Sequence, residues 1–189
     1  MKTEVFKKFG PIQIDDARIN ETCNAYFKWK DLNTYISNCS HRGINMPDAI
    51  SEPMGCYCLD LIWNRGDEVG DATNPRTGEK IEFKATSRYE GDLSSFGPKC
   101  KFDDLVFLRF NLEDNMLLIY DLNINSEEFG KLPANSKETI QDQKNQGRRP
   151  HVSLQSLFID GSKDREEREP DIVFDIRKCT IYDNRKAKK

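Results

Sequence analysis

The spacing of apolar residues predicts two helical regions in the first third of the chain. Between about Asp15 and Cys39 the apolar residues recur at helical spacing, and Gly43 follows as a plausible end. A second helical pattern starts at Pro47, a residue that the first turn of a helix accepts. Pro53 interrupts that pattern, so we expect either a kink or the start of another helix there.

The middle of the chain changes to strand patterns. Residues 80–85 alternate between polar and apolar side chains, which predicts a strand, and the turn residues Asn-Pro-Arg-Thr-Gly at 74–78 precede it. Two strongly apolar runs, 104–110 and 115–122, flank a short turn. They predict a β-hairpin that lies centrally in a sheet.

Shorter elements are predicted in the last third. Ser136 can cap a helix that continues through Gln146 and is stopped by Gly147. Residues 151–154 are expected to be extended, and residues 171–182 to form a final strand pair or one long strand. The order of elements predicts an α/β (α+β) fold with a mixed central sheet flanked by helices, in a single domain of residues 1–189.

Composition limits the cellular location, the cysteine chemistry and the classes of protein that we expect. No apolar run approaches the roughly 18 residues that a membrane span needs, and no apolar stretch follows the N-terminal residues, so we expect a cytoplasmic protein without membrane contact. The six cysteines are then expected to be reduced, half-buried or buried thiols, with a structural zinc as the alternative. The net charge of -3 argues against a nonspecific nucleic-acid coat protein but not against a nuclease.

A pair of charged residues on the predicted strand 80–85 is the main candidate for chemistry. Glu82 and Lys84 are two positions apart, so both side chains project from the same face of a strand. If residues 71–73 and 80–85 are the two arms of a hairpin, Asp71 lies beside Glu82. Asp67 is the alternative first carboxylate.

Two carboxylates at that distance repel each other unless a cation lies between them, and oxygen ligands suit Mg²⁺. The main-chain carbonyl of Phe83 could add a further oxygen, and Lys84 could orient a water and stabilise charge on a phosphate. These parts predict a Mg²⁺-dependent nuclease with Asp71, Glu82 and Lys84 as its catalytic residues. The alternative is an ordinary Glu–Lys pair on a solvated strand face.

Asp71 followed by Glu82-Phe83-Lys84 resembles the PD-(D/E)XK nuclease motif, with Gly70 in place of the usual proline. Residues 91–108 and the segment Gln-Gly-Arg-Arg-Pro at 146–150 are similar to the small type II restriction endonucleases that cut the interrupted palindrome GC-N-GC. The resemblance extends over about residues 45–159.

This resemblance implies a restriction-endonuclease-like fold, with a mixed sheet of four or five strands and the metal site at one edge. It implies double-stranded DNA as substrate, 5′-phosphate ends, a homodimer and a cognate methyltransferase as a functional partner without stable binding. The parts would be a helical region at about 14–63, a catalytic sheet at about 67–125 and a DNA-reading part at about 135–183. Glu52 would be an accessory acid that holds a metal-bound water; the alternative is an exposed helical residue.

Basic and hydroxyl side chains downstream are the candidates for DNA contacts. Arg148 and Arg149 can donate to guanine edges or to phosphates. A loop after the catalytic strand carries hydroxyls and lysines suited to phosphates, namely Ser94, Ser95, Lys99 and Lys101. Two alternatives stay open beside the restriction endonuclease: a repair or junction-resolving nuclease with the same core, and a non-catalytic DNA-binding module.

Overall fold

The computed structural model describes residues 10–40, 42–65, 70–88, 91–161 and 166–186. Its helices are α1 (Asp16–Cys39), α2 (Asp48–Leu59), α3 (Ser126–Gly130) and α4 (Ile140–Asn145), and a π-helical turn spans Gln155–Ile159. Its longer strands are β4 (Lys80–Thr86), β6 (Asp104–Asn111), β7 (Met116–Asp121), β9 (Ile172–Asp175) and β10 (Thr180–Asp183). Five strands have two residues each: β1 (Ile12–Gln13), β2 (Ile62–Trp63), β3 (Ala72–Thr73), β5 (Ser94–Ser95) and β8 (His151–Val152).

One mixed sheet organises the chain, in the order β1-β2-β3-β4-β6-β7-β9-β10. The pairing of β4 with β6 is parallel, and every other pairing in this sheet is antiparallel. The α/β (α+β) class, the mixed sheet and the central hairpin β6–β7 are therefore confirmed. The expected size of four or five strands is wrong, because two-residue strands on one side and the β9–β10 hairpin on the other extend the sheet to eight.

The two predicted N-terminal helices are confirmed. Asp15 caps α1 by accepting a hydrogen bond from the Arg18 N–H at 2.8 Å, and Ile19 and Tyr26 lie buried on one face. Pro53 lies inside α2 and does not end it. The helix ends instead at Asp60, which takes the left-handed conformation with φ 57°.

Elements in the last third differ in part from the prediction. The helix expected from Ser136 starts only at Ile140, because Thr139 and Asp142 form a capping box at that point. The extended run at 151–154 is reduced to β8, and α3 had no predicted counterpart. The final strand pair is confirmed as β9 and β10.

Two apolar clusters fill the interior. The first core cluster includes the buried faces of α1 and α2 together with Ile81 and Phe83 of β4. The second core cluster, by contrast, is built entirely from residues between 96 and 159: Phe96, Phe102, Leu105, Phe107, Tyr120, Leu122, Phe129, Ile140, Val152, Leu154 and Ile159. No helix in the described part of the chain is long and apolar enough to cross a membrane.

Candidate active site

Glu82 and Lys84 project together from β4, as the alternation predicts. Ile81 and Phe83 point into the first core cluster, so the intervening side chains emerge on the other face of the strand. Glu82 Oε1 and Lys84 Nζ lie 2.5 Å apart, with 12% and 21% of the two side chains exposed. The ammonium also lies 5.2 Å from the ring centroid of Phe96. Because water is largely excluded, this ion pair is stronger than a surface pair.

Asp71 is held against the same strand by the β3–β4 hairpin. Ala72 pairs with Ile81 in that hairpin, and the Asp71 N–H donates to the Ile81 carbonyl at 3.1 Å. The Phe83 N–H donates to Asp71 Oδ2 at 2.8 Å. Burial and then the charge on Glu82 raise the pKa of Asp71 to about 6, although the Phe83 N–H opposes the shift.

Glu52 brings a third carboxylate towards this pair from helix α2. Its Oε2 accepts a hydrogen bond of 2.6 Å from the indole N–H of Trp63. Burial and then the charge on Asp71 raise the pKa of Glu52 to about 8, and the charges on Asp48 and Glu82 add to the rise. The site is therefore richer in negative charge than Lys84 alone can balance.

A hard divalent cation fits this donor chemistry. The raised pKa values of Asp71 and Glu52 express repulsion and burial that such a cation would relieve. The donors are carboxylate oxygens, which Mg²⁺ prefers over nitrogen and sulfur. Within the described ranges, no group of three or more His, Cys, Asp or Glu side chains is close enough to enclose an ion by itself, so water or main-chain oxygens have to complete the shell.

Among the described residues, no cluster of cysteine and histidine side chains could hold a structural zinc. Cys56 and Cys58 are buried in the first core cluster, where they pack as small apolar side chains. Cys39 is exposed at the end of α1. His41 and the alternative carboxylate Asp67 lie outside the described residues.

Three side chains at the site were not assigned to it from the sequence. Trp63 packs against the first core cluster, and its indole N–H donates to Glu52. Burial and then the charge of the nearby Glu82 carboxylate raise the pKa of the Cys100 thiol to about 11, and Lys144 donates to the Cys100 carbonyl at 3.2 Å. Helical spacing from the apolar Ile140 was the one sequence signal that pointed to burial of Lys144.

A cleft of about 880 Å³ opens beside β4. Its lining includes Lys84, Arg42 and Arg88, as well as the predicted Ser94 and Ser95. Ser94 is buried and Ser95 half-buried, since β5 pairs with β8. Strand β4 thus faces a wide groove, and it is an interior strand of the sheet, whereas the resemblance implied a metal site at one edge.

The remaining candidate DNA contacts are not part of the cleft lining. Lys99 and Lys101 are exposed on the chain before β6. Arg148 is bound to Glu138 at 2.5 Å, and hydrogen bonds from Asn135 and then from Arg148 lower the pKa of Glu138 to about 2. Arg149 is exposed, and its Nη2 atom lies 3.8 Å from the point where a Cβ on Gly97 would be.

Comparison with known sequences assigns the chain to a family. The model of the Bsp6I restriction endonuclease family matches residues 14–161, well over half of the chain. The chain belongs to the Bsp6I restriction endonuclease family. The type II restriction enzyme Bsp6I of Bacillus sp. (strain RFL6) is 42% identical over 151 residues, which cover 80% of this chain and 86% of that enzyme. No solved structure matches the chain.

Membership of the Bsp6I family confirms the resemblance to type II restriction endonucleases that the sequence motifs indicated. The family match contains every candidate residue, from Glu52 to Arg149. The catalytic and DNA-binding roles of those residues remain predictions.

Proposed function

We propose that the protein is a type II restriction endonuclease that hydrolyses phosphodiester bonds in double-stranded DNA. The observation that carries the proposal is the juxtaposition of Asp71, Glu82 and Lys84 on paired strands in a chain of the Bsp6I family. The target is a short, GC-rich palindrome such as GC-N-GC, and the products carry 5′-phosphates, as the motif resemblance implies. A palindromic target favours a homodimer, since a two-fold axis presents the same residues to both strands.

Mg²⁺ is the cofactor that this donor set fits. Asp71, Glu82 and the Phe83 carbonyl would hold it, and Glu52 would hold a water beside it. When bound, the cation supplies Lewis-acid chemistry and lowers the pKa of an attached water.

Lys84 acts as a positively charged donor in this scheme. Burial lowers its pKa, but the charge and hydrogen bond of Glu82 outweigh burial, so the pKa of Lys84 is raised overall. At neutral pH the side chain is therefore an ammonium and cannot accept a proton. Its contribution is to orient the attacking water and to stabilise negative charge that develops on the phosphate.

DNA reading is assigned to exposed basic side chains outside the cleft lining. The guanidinium group of Arg149 and the ammonium groups of Lys99 and Lys101 suit phosphates or guanine edges. Arg148 reaches DNA only if it leaves Glu138, whose carboxylate competes for it. A cytoplasmic location and a cognate methyltransferase that protects host DNA complete the proposal.

Digestion of DNA of known sequence tests the proposal. With Mg²⁺, the purified protein is expected to give discrete fragments, and end mapping gives the site and the 5′-phosphate. Glu82→Ala and Asp71→Ala should abolish cleavage, whereas Glu79→Ala, an exposed carboxylate just before β4, should leave it intact. Light scattering should give about twice the 21.9 kDa of one chain.

Two results would point to the alternatives instead. Nicking that follows DNA structure rather than sequence would indicate a repair or junction-resolving nuclease. DNA binding without cleavage in any divalent cation would indicate a non-catalytic module. Full activity in Glu82→Ala would instead show that Glu82 is not catalytic and would refute the assigned active site.

A further inference from the structure

Lys144 is a buried cation at the back of the candidate active site. It lies on α4 one turn after Ile140, so both residues share the helix face that packs on the second core cluster. Only 7% of Lys144 is exposed. Burying an ammonium is costly unless it is paired, yet no carboxylate of the described residues lies at ion-pair distance from it.

The contact that Lys144 does make leads to the catalytic strand. Its Nζ donates to the main-chain carbonyl of Cys100 at 3.2 Å. The Cys100 thiol in turn lies near the Glu82 carboxylate, whose negative charge adds to burial in raising the pKa of the thiol. A turn closed by the Cys100 N–H and the Gly97 carbonyl, 3.1 Å apart, keeps this residue between α4 and β4. Cys100 therefore lies between Lys144 and Glu82, hydrogen-bonded to the first and near the second.

Electrostatics show the same proximity. Burial lowers the pKa of Lys144, the charges of the Cys100 thiol and of Glu82 oppose that shift, and the ammonium of Lys84 adds to it. Lys144 thus interacts with both members of the Glu82–Lys84 pair while touching neither. Its positive charge therefore acts on the candidate catalytic pair through space.

The other end of the connection is the arginine segment, residues 146–150. The Gly147 N–H donates to the Lys144 carbonyl at 2.9 Å, and the Arg148 N–H donates to the Gln143 carbonyl at 3.0 Å. These two hydrogen bonds join the arginine segment to the last turn of α4, where Lys144 lies.

We propose that Lys144 is a positioning residue for DNA cleavage, which fixes Glu82 through Cys100 and couples it to the arginine segment. The inference rests on the proposed function, because it needs Glu82 to be catalytic. Lys144 contacts neither DNA nor a cation in this scheme. Its loss should slow the chemical step and leave DNA affinity unchanged.

The test compares Lys144→Met with Lys144→Arg, which restores the charge and the donor. The matched control is Lys137→Met, an exposed lysine shortly before α4. Single-turnover cleavage in Mg²⁺ gives the rate, and titration of the same DNA in Ca²⁺, which accepts looser ligand geometry, gives the affinity. Lys144→Met should lose roughly 10- to 100-fold in rate, the range found for groups that orient metal ligands. Lys144→Arg should recover most of it.

A double-variant cycle adds a readout that a purely structural role would not change. Because Lys144 acts through Cys100, the rate losses of Lys144→Met and Cys100→Ala should not add in the double variant. Additive losses, or a wild-type rate in folded Lys144→Met, would overturn the proposal. Equal losses of rate and affinity would overturn it as well.

A replacement variant covers the case in which Lys144→Met does not fold, and failure of the proposed function gives a separate result. If Lys144→Met does not fold, Lys144→Gln replaces it, since its polar amide tolerates burial but ends one bond short of the ammonium position. A wild-type rate in that variant overturns the proposal. Failure of the proposed function is a different result, because the unchanged protein would then cleave no DNA in any divalent cation.

Discussion

Binding of Mg²⁺ at the candidate site should release about one proton per site at pH 7. The metal-free site holds protons because the pKa of Glu52 is raised to about 8 and that of Asp71 to about 6. At pH 7 these values give roughly 0.9 proton on Glu52 and roughly 0.1 on Asp71. A cation needs both carboxylates ionised, so these protons leave when it binds.

The affinity of the site for Mg²⁺ should therefore depend on pH. Below pH 8 protons compete with the cation, so affinity rises with pH. Between pH 7 and pH 9 the competition at Glu52 disappears, and affinity should rise about tenfold while proton release falls to roughly 0.1. Cleavage at limiting Mg²⁺ should rise in parallel.

Calorimetric titration in two buffers of different protonation enthalpy measures the released protons directly. Glu52→Gln should reduce release at pH 7 to roughly 0.1 proton and remove the tenfold gain. Glu79→Gln, on the exposed turn before β4, should behave as the unchanged protein. Heats that are the same in both buffers at pH 7, or a Glu52→Gln variant that releases a full proton, would refute the reasoning.

Three further predictions concern stability and DNA binding. Burial and then the Asp121 carboxylate, to which a protonated Asp104 can donate, raise the pKa of Asp104 to about 7, so its favourable contribution is complete below the unfolded pKa and is lost as pH rises through 7. Asp104→Asn should therefore add about 1–2 kcal/mol to the free energy of unfolding at pH 8 and nothing near pH 3, measured with urea. Phe129→Ala removes a fully buried ring whose centroid is 4.5 Å from that of Phe96, and should cost about 3–5 kcal/mol in the same assay. Arg149→Ala should weaken DNA binding and, if the guanidinium contacts a phosphate, reduce the slope of log affinity against log salt by about one; an unchanged slope would assign it to a base edge.

The strongest predictions from sequence came from long periodic segments. Helix α1 and strands β4, β6 and β7 each bury one or both faces. The spacing of apolar residues within such a segment is enough to indicate which face is buried. The Asp71–Glu82 juxtaposition was predictable too, because a short hairpin fixes its own register.

The features that the sequence did not predict depend on contacts between residues far apart in the chain. Two-residue strands such as β1 and β2 are too short to show alternation, so the true width of the sheet was hidden. The contact of Trp63 with Glu52 depends on how α2 lies against the sheet, and that of Lys144 with Cys100 on how α4 packs. Helix α3 did carry a signal, the capping box of Asn125 and Glu128, which a search for such boxes would have found.

The second core cluster has a consequence for synthesis of the chain. All of its members lie between residues 96 and 159, after Lys84, the last candidate catalytic residue, and the Lys84 ammonium lies over its Phe96 ring. When Lys84 has just left the ribosome, the β3–β4 hairpin beside Asp71 and Glu82 can already form, but Phe96 and strand β6, which pairs with β4, have not yet left the ribosome. We therefore expect a nascent fragment that ends near Lys84 to lack cleavage activity, which requires the later half of the polypeptide.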